Sequence, residues 1–196
     1  VIHQSPIRSP TASTGQTVRV TPDLSIPPGA RAAAILLHPH PSFGGNRHHP
    51  FVDGLYRRLP GDSVAVLRFD FAGPDPQQGR AEVEAALRTL AGHLPGAPVV
   101  LAGYSFGAGI AAGIDDPRVA GWYLLAPQVE PLSGSPLAAD PRPKAIVVPE
   151  HDQFAPPPAV MEAVTGWVAT AVTTAPGADH FLGSVSPLVD AAAGWI

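Results

Sequence analysis

Apolar residues in this chain gather into short continuous runs. Six of them, at 32–37, 63–69, 99–102, 119–125, 145–148 and 168–173, read as strands, and those at 32–37, 63–69 and 99–102 have the composition of strands buried on both faces. Segments with helical spacing lie between them. Residues 51–59 predict a short helix stopped by Pro60-Gly61. Residues 81–90 predict another, with Val83, Ala86, Leu87 and Leu90 on one face. Further helices are expected from Ala108 onward, at 158–165 and at 187–195, and Thr17-Val18-Arg19-Val20 alternates like a short edge strand. Strands alternating with helices predict an α/β fold, a mostly parallel central sheet with helices on both faces. Residues 1–15 mix Ser, Thr, Pro and Gly and read as a flexible N-terminal arm, leaving 16–196 as a single domain without internal repeats.

Composition narrows the function. At 196 residues and 45% hydrophobic, the chain can bury one sizeable core, yet only 14% of it is charged. Its 25 prolines fall between the apolar runs, so short elements joined by stiff loops are expected. The net charge is -4 and no basic cluster exceeds Arg57-Arg58, which argues against a nucleic-acid partner. Without cysteine there is no disulfide, zinc–thiolate site or thiol chemistry. Residues 89–114 carry no formal charge, but His93, Pro95, Pro98 and several glycines interrupt them, so no membrane span is expected. The first residues show no leader pattern, and the expected location is cytoplasmic, a removed leader aside.

The run at 99–102 leads directly into Gly103-Tyr104-Ser105-Phe106-Gly107, of the form G-x-S-x-G, and then into the apolar Ala108-Gly109-Ile110-Ala111-Ala112. A serine on a tight strand-to-helix turn is forced outward, and the flanking glycines let strand and helix approach closely. A serine hydroxyl needs a histidine base, and the base needs an acid that fixes its tautomer. Only His151 and His180 follow Ser105. His180 comes after the last predicted strand, where a loop can carry it over the sheet edge. Asp152 follows the strand at 145–148, at the carboxyl end where sites of open α/β sheets form, with Glu130 as the lesser alternative acid. The oxyanion hole needs two backbone N–H donors. One falls to Phe106. The other falls to His40 in the loop after 32–37, because Pro39 and Pro41 have no N–H to give.

Four motifs in order carry a resemblance. They are His38-Pro39-His40-Pro41 with Gly44-Gly45, Arg68-Phe69-Asp70-Phe71-Ala72-Gly73, the serine turn, and Asp179-His180-Phe181. Through them the chain resembles the α/β-hydrolases, in particular a small-esterase branch near the dienelactone-hydrolase-like proteins. The resemblance implies the α/β-hydrolase fold, with Ser105 as nucleophile, His180 as base, Asp152 as acid, and the His40 and Phe106 amides at the oxyanion. The sequence departs from the pattern at Ala72, where a second arginine is usual, and in the approach to the acid, Pro149-Glu150-His151-Asp152.

The expected protein is a serine hydrolase, a carboxylesterase that works through an acyl-enzyme without metal or cofactor. The short connection from Leu125 to Ala145 leaves little room for a lid, so small short-chain esters are the expected substrates. Thioester, lactone or C–C bond hydrolysis on the same residues is the alternative chemistry, and a non-enzymatic binding protein the alternative class. The expected assembly is a monomer or small homo-oligomer. His38, His40, His48 and His49 lack the spacing of a metal site; His38 is expected to pack beneath the site, with His48 and His49 solvated. Arg68 and Asp70 are expected to pair and brace the site, and Trp122, Tyr123, Trp167 and Trp195 to serve core or helix packing.

Overall fold

The six apolar runs form the parallel strands of a 7-stranded sheet. The computed structural model describes residues 21–196; the expected arm at 1–15 and edge strand at 17–20 lie outside them. In chain order the elements are β1 (Asp23–Ser25), β2 (Ala32–Leu37), α1 (Pro50–Arg58), β3 (Val64–Arg68), α2 (Pro76–His93), β4 (Val99–Tyr104) and α3 (Phe106–Ala112). There follow β5 (Val119–Leu125), α4 (Val129–Leu132), β6 (Lys144–His151), α5 (Pro157–Ala163), β7 (Thr170–Asp179) and α6 (Ser186–Trp195). The sheet runs β1-β3-β2-β4-β5-β6-β7, and only β1 is antiparallel to its neighbour.

The two-residue period of the strands divides the core. Ile35, Leu37, Leu67, Leu101, Trp122 and Leu124 face α2, α3 and α5, meeting Val83, Leu87, Ile110 and Val160. Ala34, Leu36, Val66, Tyr123 and Leu125 face α1 and α6, meeting Phe51, Leu55, Leu188 and Val189. Continuous apolar runs are therefore what the central strands require, since both their faces are covered, whereas the edge strand β7 is largely exposed. Trp195 packs on Tyr123 with ring centroids 5.9 Å apart.

Several elements outrun the sequence pattern. Helix α2 starts at Pro76 rather than near Ala81, because Asp75 caps it by accepting the Gln77 N–H at 2.8 Å and Pro76 stands at the first helical position. Strand β7 extends to Asp179 through Pro176 and Gly177, which its place at the sheet edge permits. The connection from β5 to β6 contains the single turn α4 and a 3₁₀ turn at Pro136–Ala139, with no lid among the described residues. No described helix is long and apolar enough to cross a membrane.

Candidate active site

Ser105 stands between β4 and α3 with φ 53° and ψ −112°, a backbone conformation strained for any residue with a side chain. The turn is this tight because the glycines on either side have backbone where a Cβ would be. At Gly103 a Cβ would lie 2.5 Å from the Ala108 nitrogen; at Gly107 it would collide with the Leu37 carbonyl. The Ser105 N–H donates to the Leu125 carbonyl at 2.9 Å, which ties the turn to the end of β5.

Ser105, Asp152 and His180 come from the carboxyl ends of three parallel strands, and all three are buried. Ser105 Oγ lies 2.9 Å from His180 Nε2, and His180 Nδ1 lies 2.7 Å from Asp152 Oδ2. The other carboxylate oxygen of Asp152 accepts the Phe154 and Ala155 N–H groups, both at 2.9 Å. With those donors on Oδ1, Oδ2 is left to accept from His180 Nδ1, so the ring hydrogen facing Asp152 sits on Nδ1. That leaves Nε2 as an acceptor facing the serine hydroxyl. Glu130 lies on α4 and makes no hydrogen bond to His180.

The loop after β2 faces the N-terminus of α3. The rings of His40 and Phe106 are 5.0 Å apart, and Gly107 lies against the backbone of Leu37 and His38. Neither the His40 nor the Phe106 N–H donates to another group among the described residues. Two backbone donors are thus left free beside Ser105, as an oxyanion requires. The loop is fixed from below by His38, which is fully buried. Its Nε2 accepts the Phe71 N–H at 2.9 Å, which places the proton on Nδ1, 2.6 Å from the Pro39 carbonyl. Burial lowers the His38 pKa, as this neutral clamp requires.

Two details differ from the sequence reading. Arg68 and Asp70 do not pair with each other. The buried Arg68 binds Asp23 at 3.0 Å and Asp53 at 2.8 Å, while Asp70 accepts the Arg47 N–H at 2.7 Å and its guanidinium at 2.9 Å. Arg47 also binds Asp23 at 3.1 Å, so one ionic network joins β1, β3, α1 and the end of the loop after β2. Burial alone would raise the Asp70 pKa, but the Arg47 hydrogen bonds outweigh it and hold the carboxyl below its usual value. His49 is half-buried rather than solvated: it caps α1 by accepting the Phe51 N–H and packs on Tyr104.

Sequence reasoning missed Tyr104, whose hydroxyl donates to the His180 carbonyl at 2.5 Å, and Glu82, which accepts the Ala72 N–H below the site. Only the position of Tyr104 beside the serine could have drawn attention to it. A cavity of about 610 Å³ opens between β7 and α6; Asp179 and Leu182 on its wall flank His180, but Ser105 does not line it. Among the described residues no group of three or more His, Asp, Glu or Cys is placed to hold a metal ion.

Comparison with known proteins agrees with this fold. No family model matches the chain. A protein of unknown function from Agrobacterium tumefaciens, an α/β-hydrolase candidate, superposes with a TM-score of 0.79 at 27% identity, covering 92% of this chain and 91% of that one. An α/β serine hydrolase homologue from Coxiella burnetii gives 0.77 at 27% identity, covering 90% and 91%. An uncharacterized protein of Rickettsia prowazekii is 36% identical over 87 residues, 40% of this chain and 37% of that protein, so the match spans little more than a third of that relative. The fold is that of the α/β-hydrolases.

Proposed function

We propose that this chain is a serine hydrolase that cleaves carboxylic esters of short acyl chain through a covalent acyl-enzyme. The observation that carries the reading is the continuous relay from Ser105 Oγ through His180 to Asp152, at 2.9 and 2.7 Å, set on a strained elbow. In acylation, Ser105 Oγ attacks the ester carbonyl carbon as its proton passes to His180 Nε2. The developing oxyanion accepts hydrogen bonds from the Phe106 and His40 N–H groups, and Asp152 stabilises the imidazolium. Collapse breaks the bond to the alcohol, whose oxygen takes the proton from His180. Water then gives a proton to His180 and attacks the acyl carbon; Ser105 departs with that proton and the carboxylic acid is released. The absence of a lid among the described residues leaves the site open, which favours small substrates.

The test is hydrolysis of p-nitrophenyl acetate and butyrate, together with labelling by a fluorophosphonate. The native chain is expected to turn over both esters and to label at Ser105. Ser105→Ala is expected to lose about 10⁴-fold or more in kcat and all labelling. Equal rates in the two proteins, with no label on either, would falsify the reading.

A further inference from the structure

The chain has 7 phenylalanines, and their burial separates them into two groups. Phe51, Phe69, Phe71 and Phe106 are buried, whereas Phe43, Phe154 and Phe181 are 87%, 60% and 65% exposed. All the exposed ones flank the Ser105–His180 pair. Phe43 lies on the oxyanion side, 4.9 Å from the His40 ring. Phe154 and Phe181 lie on the base side and form a triangle with His180. Phe154 is 4.8 Å from the imidazole, Phe181 is 5.9 Å from it, and the two phenyl rings are 5.9 Å apart, all meeting edge to face.

Neither base-side ring is needed to hold the catalytic groups. Asp152 is held by the backbone N–H groups of residues 154 and 155, and Asp179 accepts the backbone N–H of Phe181. The two side chains are therefore exposed apolar surface at one defined place, which calls for a ligand.

Chemistry decides which part of a substrate meets them. His180 Nε2 must protonate the oxygen of the departing alcohol, so that oxygen leaves on the His180 side. The first group attached to it then lies against the rings packed on His180. The surroundings decide the charge of that group. No Lys or Arg occurs after Lys144, while Glu150, Asp152 and Asp179 are all near. An anionic alcohol meets no Lys or Arg on the segments that carry the rings, whereas a neutral aromatic ring finds two edge-to-face positions.

We propose that Phe154 and Phe181 form the leaving-group subsite, and that the preferred substrates are esters of neutral aromatic alcohols. The proposal rests on the esterase reading and adds the alcohol half of the substrate to it.

The test compares benzyl acetate with methyl acetate, whose alcohols are of similar acidity. Both pass through the same acetyl-enzyme, so deacylation is common and the ratio of kcat/KM reports acylation alone. Benzyl acetate is expected to be favoured by about tenfold or more, the scale of one aromatic contact. Phe154→Ala and Phe181→Ala should each bring the ratio toward one. Phe154→Leu should keep part of it, and Met161→Ala, at an exposed apolar position on α5, should keep it whole. Turnover with a flat ratio in the native chain overturns the subsite alone. An equal loss on both esters in the variants also overturns it, assigning the rings to screening of the Asp152–His180 pair. Absence of turnover and of fluorophosphonate labelling overturns the esterase reading and the subsite with it.

Discussion

At Gly107 even one added methyl group meets immovable atoms, the carbonyl groups of Leu37 and His38, whereas at Gly109 it would meet the Pro131 side chain at 3.0 Å. Backbone cannot give way as a side chain can. Gly107→Ala is therefore expected to cost about 1–3 kcal/mol or more, and to lower kcat/KM further by moving the oxyanion loop off the serine. Gly109→Ala, on the same helix, should cost less than half as much. Urea unfolding midpoints and ester turnover check both, and equal effects at the two positions would contradict the account. The G-x-S-x-G spacing was legible in the sequence because it obeys this local constraint. The partners of Arg68 were not, since Asp23 and Asp53 reach it only after β1 and α1 have packed beside β3.

Among the elements, the central strands were read nearly residue for residue, because burial on both faces leaves no polar position to blur them. The short antiparallel β1 was invisible: a strand of 3 residues has no periodicity, and pairing with β3 plus the ion pairs of Asp23 define it. Helix α2 was shortened in the reading because Gln77, Gln78 and Gly79 resemble a loop, although the Asp75-Pro76 start signal was present. The carboxyl end of β7 leads into His180, the proposed base, and the Tyr104 hydroxyl from β4 holds its carbonyl across the site. Tyr104→Phe leaves the His180 carbonyl without that donor. It is expected to cost about 1–3 kcal/mol of stability and to slow fluorophosphonate labelling of Ser105 without abolishing it. Unchanged labelling would remove Tyr104 from the positioning of the base.

Two sets of lowered pKa values tie stability to pH, while burial raises the Glu82 pKa and works in the opposite sense in the acid range. Burial holds His38 and His49 below the ordinary value of 6.5, so the folded chain resists protons that the unfolded chain accepts. Their contribution to stability is full above about pH 6.5 and falls as the pH drops below it. Asp53, Asp70 and Asp116 are also lowered, and Asp140, bound by Arg142, is lowered to about 2; their contribution is full above the usual 3.8 and is lost below it. Urea midpoints from pH 8 to 3 should show both declines, and a profile level from pH 7 to 5 would count against the buried neutral histidines. The chain order of the site has a consequence for biosynthesis. Ser105, Asp152 and His180 emerge in that sequence, and 75 residues separate the nucleophile from its base. At about 5–20 residues per second, a ribosome takes roughly 4–15 s to cross that interval. During it the nascent chain carries Ser105 without its His180 contact, which can form only once β7 has docked on β6.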